Sequence, residues 1–195
     1  MLYGISYGIQ RLRLATYPTP IDESFTICDL PCFAGVIPGD SQFESVTATL
    51  TRTLPVLTRY DVLYDGNGSL TYAASPAIYD DEIISGTMYS RGQIVSGIHL
   101  SGVRLPVQYL FEQLKHPACV SRFQSGQFRG LLLYWLRDDI KFVTILPVDP
   151  VASLYEPAYT QDVLMDWQQP LPCDLPEYEA WQGFLPLRYY APSSG

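Results

Sequence analysis

The chain is expected to be mainly β, an α+β protein of antiparallel sheets built from hairpins, with one short core helix. Two observations predict this. Runs of alternating or continuous apolar residues recur along the chain, and Gly, Asn, Asp or Pro ends each one. Only one segment carries a convincing helical stripe. With 195 residues and no internal repeat, the chain is read as one domain, 1–195, large enough to bury a core.

In order, residues 2–14 alternate Tyr3, Ile5, Tyr7 and Ile9 against Gly4, Ser6, Gly8 and Gln10, a strand with one buried face. Pro18 and Pro20 stop it, because proline cannot donate to a ladder. Residues 21–40, broken by Pro31, Gly35, Pro38 and Gly39, read as a loop with one short strand near Phe25–Cys28. From Glu44 to Leu54, Val46, Ala48 and Leu50 alternate with Thr47, Thr49 and Thr51, and a second half-buried strand is expected.

The sharpest hairpin signal is Val62–Tyr64 and Leu70–Tyr72 around Asp65-Gly66-Asn67-Gly68. A further hairpin is expected from Glu82–Tyr89 and Gln93–Leu100, turning at Ser90-Arg91-Gly92. The helix is Val107–His116, entered after Pro106 and stopped by Pro117, with Val107, Leu110, Phe111 and Leu114 as its apolar stripe. The central hairpin pairs Phe128–Arg137 with Ile140–Val148 around Asp138-Asp139. Its first arm is apolar on both faces, Leu131, Leu133 and Trp135 against Leu132, Tyr134 and Leu136, so cover on both sides is expected. Beyond it the chain turns proline-rich, with a short helix expected over Thr160–Trp167 and a last aromatic segment from Trp181 to Tyr190.

Charged residues make up 16% of the chain, against about 25% in ordinary globular domains, while tyrosine (15) is abundant. A charge-poor, Tyr-rich surface suits a subunit inside a larger assembly; tyrosines filling a β-sheet give the same composition. The net charge of −8 argues against a surface given over to phosphate neutralisation, yet it permits a local arginine contact to RNA or docking on a basic partner. No signal peptide and no apolar run of about 18 residues is seen, so no membrane partner is expected. Nothing indicates secretion, and the four cysteines read as reduced thiols in a cytoplasm.

Cys28, Cys32, His116 and Cys119 offer three sulfurs and an imidazole, a legitimate zinc set, but they lack the Gly-rich knuckle of such sites; buried free thiols are the default and no cofactor is expected. The acids Asp80-Asp81-Glu82 and Asp138-Asp139 fall at turns or strand starts, where solvated carboxylates are ordinary; a small metal-dependent hydrolase using Asp81 or Asp139 is a distant alternative. His99 and His116 are the only neutral-pH bases, and neither sits in a nucleophile elbow or a Cys–His frame. No phosphate-binding loop or dinucleotide fingerprint is present; Gly66-x-Gly68 lacks the following helix. No catalytic residue is assigned, and a non-enzyme is expected. The candidate contact residues are Trp181, Arg188, Tyr189 and Tyr190, types that dominate interface hot spots and stack on unpaired bases. A final core strand would equally use Phe184 and Leu187.

From Asp80 onward the order of features resembles a CRISPR-associated family, the small accessory subunit of subtype III-D effector complexes. The resemblance lies in Asp80-Asp81-Glu82-Ile83-Ile84-Ser85-Gly86, in the helix with Leu110, Gln113 and Leu114, in Leu131-Leu132-Leu133-Tyr134-Trp135-Leu136-Arg137-Asp138, and in Gly183-Phe184 leading to Leu187-Arg188. It covers roughly half of the chain. It implies a non-catalytic subunit of a cytoplasmic, RNA-guided, RNA-targeting ribonucleoprotein in antiviral defence. Its partners would be other protein subunits, with the guide RNA touched directly or indirectly. A β-rich structural subunit of another assembly, such as a phage virion or tail, is the alternative.

Overall fold

A computed structural model describes residues 25, 27–53, 60–64, 69–74, 84–125, 128–147 and 159–181. The fold is mainly β, and among the described residues the strands form one antiparallel sheet. Among the described residues its strands are β1 (Tyr60–Tyr64), β2 (Ser69–Ala74), β3 (Ile84–Arg91), β4 (Ile94–Pro106), β5 (Cys119–Ser125), β6 (Phe128–Arg137), β7 (Ile140–Pro147), β8 (Tyr159–Trp167) and β9 (Tyr178–Ala180). Their order across the sheet is β1-β2-β3-β4-β8-β7-β6-β5-β9. Consecutive strands pair as hairpins on each side. β8 closes the centre by pairing with both β4 and β7.

The central hairpin forms as expected, β6 against β7 with Arg137 opposite Ile140. Asp138 and Asp139 both take positive φ, 52° and 60°, the two left-handed residues that a tight two-residue hairpin requires. The hairpin of β1 and β2 also forms, with its turn at 65–68 outside the described residues. The β3–β4 turn falls at Gly92-Gln93 rather than at Ser90-Arg91-Gly92, because β3 runs on to Arg91, and Gly92 has φ 68°. β4 runs on to Pro106. A bulge opposite Tyr89 and Ser90 adds one residue to β4, so Val95 and Ile98 both turn inward despite their odd spacing.

One face of the sheet carries the main core: Met88, Ile98, Leu100, Leu131, Leu133, Trp135, Phe142, Val163 and Met165. Among the described residues, two helices and a looped segment cover it. The helix α2 (Val107–Leu114) buries its whole expected stripe, Val107, Leu110, Phe111 and Leu114. β6 ties down the end of this helix, where carbonyls lack partners within the helix: Trp135 Nε1 donates to Lys115 O (3.2 Å) and Arg137 donates to Gln113 O (3.0 Å). The helix ends at Leu114 because Lys115 adopts φ 66°.

The other cover is residues 25–53. A strand was expected over Glu44–Leu54, but a 3-10 turn (Phe43–Ser45) leads into α1 (Val46–Thr53). A separation of four residues satisfies both periods, two strand repeats and about one helical turn. Val46 and Leu50 therefore share a buried face in either conformation, and here they share it on a helix. The threonines, poor helix formers by propensity, return their hydroxyls to the helix itself: Thr51 to Thr47 O and Thr53 to Thr49 O, each 2.8 Å. The short strand expected near Phe25–Cys28 is absent from the described residues. Residues 27 and 28 are bends, and Phe25 is a core residue edge-on to Phe33 at 5.2 Å.

The helix expected over Thr160–Trp167 is likewise β8. Its pattern is period two: Val163 and Met165 are buried on the core face, while Asp162, Leu164 and Asp166 look the other way. Insertion between β4 and β7 satisfies both edges of this strand, which local propensity could not indicate. The strand expected over residues 2–14 lies outside the described residues.

Candidate docking surface

The second face of the sheet is where the chain has chemistry to spare, and its two halves differ. On β5, β6, β7 and β8 it is apolar: Cys119, Leu132, Tyr134, Val143 and Leu164 form a smaller cluster with Leu171, Cys173 and Tyr178. Cover on both sides was expected for β6, and it holds at Tyr134; Leu136, at the end of the strand, is 52% exposed. On β3, β4 and the rest of β8 the same face is polar. The register aligns Ser85 with Ser101 and Thr87 with His99, and β8 places Asp162 beside Ser101.

The apolar half is covered by the segment 168–181, which leaves β8 and crosses back to the outer edge of β5. Gln168, at φ 56°, starts it by donating its backbone N–H to Asp139 O (2.8 Å). Cys173 is bonded to Cys119 beneath it, a link across 54 residues. The ring of Tyr178 then meets Tyr134 edge-on at 5.3 Å. β9 pairs with Cys119–Ser121, and Arg122 and Glu179 form a half-exposed ion pair at 3.4 Å. Burial pushes the Tyr134 phenol up to about 12, and its contacts with Tyr178 act in the same direction, while a hydrogen bond with Ser121 opposes them.

The cysteines correct one expectation, that of reduced free thiols. Cys28 is bonded to Cys32 and Cys119 to Cys173, so none of the four is a free thiol. The sulfurs proposed for zinc are consumed in these bonds. His116 stands apart, exposed and edge-on to Phe111 at 6.2 Å. Among the described residues no group of three metal-ligating side chains converges. The spacing of Cys28 and Cys32 could have suggested a local bridge. For Cys119 and Cys173 no local signal exists, since only the order of strands brings β5 next to the proline-rich segment.

The other candidates are placed as follows. Trp181 is half-buried and packs on the main core, its ring 5.2 Å from that of Phe111. Arg188, Tyr189 and Tyr190 lie outside the described residues, as does the acid run 80–82. Asp138 and Asp139 are exposed turn residues, and Asp138 faces Arg137 at 3.5 Å. His99 is half-buried on the polar half of the second face with Ser101 Oγ 3.4 Å from its Nε2, longer than the roughly 3 Å of a nucleophile and its base. Beside it, Lys141 and Asp166 pair at 3.1 Å across β7 and β8. Among the described residues no helix is long and apolar enough to cross a membrane.

Compared with protein-family models, with curated proteins and with solved structures, this chain matches none.

Proposed function

We propose that this chain is a non-catalytic structural subunit that docks mainly on other protein subunits of a multi-component assembly. The observation that carries the reading is the character of the surface. The chain is charge-poor and Tyr-rich, and among the described residues its surface displays large apolar side chains at Ile27, Tyr89, Leu136 and Leu175. The assembly we infer first is a type III, III-D-like CRISPR effector ribonucleoprotein. Support for it comes from the residues of the resemblance, which include the start of β3, the helix α2 and the Trp-bearing strand β6. In that setting the chain works in the cytoplasm, guide RNA is a direct or indirect partner, and Arg188, Tyr189 and Tyr190 are the contact residues.

A second reading, a β-rich subunit of a phage virion or tail, is favoured by one specific observation, the two disulfides. Such bonds persist on virions and in oxidising compartments and are rare in a reducing cytosol.

The experiment is a tagged pull-down from native cells, with acid quenching and thiol blocking at lysis. Mass spectrometry and RNA sequencing then identify what is recovered. The ribonucleoprotein reading expects large CRISPR subunits, a processed guide RNA and blocked, formerly reduced cysteines. Recovery of the chain alone, as a symmetric RNA-free oligomer with its cysteines oxidised, overturns that reading in favour of the virion type.

A further inference from the structure

The segment 168–181 is held in an unusual way. Not one of its residues is buried: each is exposed or half-buried, including Leu171, Cys173, Tyr178 and Trp181. Its backbone joins the sheet through three register pairs of β9 and is folded on itself by Leu175 N–H to Pro172 O and Tyr178 N–H to Leu175 O, both 3.0 Å. Segments with little buried apolar contact and exposed backbone bonds open at low free energy. Against this stand the contacts of Tyr178 with Tyr134 and of Trp181 with Phe111, the Gln168 N–H bond to Asp139 O, and one covalent tether, which ends on Cys119, a residue only 1% exposed in the floor of the sheet. Under the segment lie Leu132, Tyr134, Val143 and Leu164, side chains that a freed segment would uncover.

We propose that the Cys119–Cys173 disulfide is a redox latch that holds 168–181 over an apolar face of the sheet, and that reduction by a dithiol frees this segment without unfolding the sheet. The sulfur presented to the reductant is Cys173, on the half-exposed segment, because Cys119 is shielded. A thiolate of the reductant attacks Cys173 Sγ, forming a mixed disulfide, and the Cys119–Cys173 bond breaks with Cys119 leaving as a thiolate that takes up a proton. The second thiol of the reductant, as its thiolate, displaces Cys173, which is protonated in turn. Two electrons and two protons pass to the cysteines, and the reductant leaves as its own disulfide. The latch does not depend on which assembly the chain joins, and Cys28–Cys32, closing a separation of only four residues, tethers no comparable segment.

The test is hydrogen exchange read by mass spectrometry on the full chain carrying C28S and C32S, oxidised and then reduced with dithiothreitol under native conditions. Exchange at 168–181 and at the β9-paired 119–121 is expected to quicken by about tenfold or more, while 94–106 and 140–147 keep their protection. Unchanged exchange at 168–181 overturns the proposal, since packing alone would then hold the segment. Loss of protection throughout the sheet overturns it as well, because the bond would then hold the fold rather than a latch. In the native chain, brief treatment with glutathione is expected to leave the mixed disulfide on Cys173; an adduct on Cys119 overturns the assigned route.

Discussion

Gly39 lies directly beneath the indole of Trp167. A β-carbon at Gly39 would fall 2.5 Å from both Cδ1 and Nε1 of that ring, and Gly39 has φ +85°. Two separate demands thus meet at one position, a left-handed backbone and a ring in contact with it. This contact fastens the loop 37–43 to the end of β8, and Gly39 N–H extends the fastening by donating to Val95 O (2.7 Å).

Gly39→Ala is therefore expected to destabilise the chain by about 2 kcal/mol or more, strain and overpacking together. Urea denaturation of the purified variant measures it. Gly92→Ala, at φ +68° but with open space around it, is the control, with a cost confined to the backbone of about 1 kcal/mol.

Trp135 fills the core at 2% exposure and caps α2 through Lys115 O. Trp135→Ala is expected to cost about 3–5 kcal/mol. Trp135→Phe keeps ring contact with Phe111 and Phe142 but gives up the indole donor, and about 1–3 kcal/mol is expected for the carbonyl it abandons. Thermal melts of both variants separate packing from capping.

The two disulfides close loops of very different length, separations of 54 and 4 residues. By loss of chain entropy in the unfolded state, replacing Cys119 and Cys173 by Ser should cost about 4 kcal/mol and replacing Cys28 and Cys32 about 2 kcal/mol. Chemical denaturation of the two double variants checks the order.

The Tyr134 phenol gives an alkaline signature. An unfolded tyrosine ionises at its ordinary value of 10.0, whereas Tyr134 in the fold holds its proton up to about 12. Between these values the unfolded chain has released the proton and the folded chain has not. Stability from this group is therefore full below about pH 10 and falls as pH rises toward about 12. Tyr134→Phe should flatten that part of the stability–pH curve.

For incorporation into an assembly, Arg188→Ala combined with Tyr190→Ala should reduce co-purification of partner subunits without changing the melting temperature. Trp181 is a poorer probe of docking, because its ring packs on Phe111 and its removal disturbs the fold as well. Unchanged co-purification removes Arg188 and Tyr190 from the contact surface.

The hairpins were legible because their signals are local. The arms of β6 and β7 are β-rich, and a two-aspartate turn can take the left-handed φ that closes them. The helix α2 was legible for the same reason, a full stripe bounded by Pro106 and Pro117. The α1 and β8 segments depart from expectation in opposite directions. In α1 the two residues that decide burial, Val46 and Leu50, are four apart, a spacing that strand and helix share. In β8 the run Asp162–Trp167 has the composition of either element, and only pairing with β4 and β7 decides it.

By itself, then, the sequence determined the β-rich class, the hairpins and the stripe of α2, because turn chemistry and side-chain period act over a few residues. The tertiary structure decided what depends on distant partners. It made β8 the centre of the sheet, chose helix over strand at α1, and brought Cys173 onto Cys119. The physical reason is that strand pairing and disulfide formation draw on neighbours whose identity is set by chain topology, and local sequence does not carry that information.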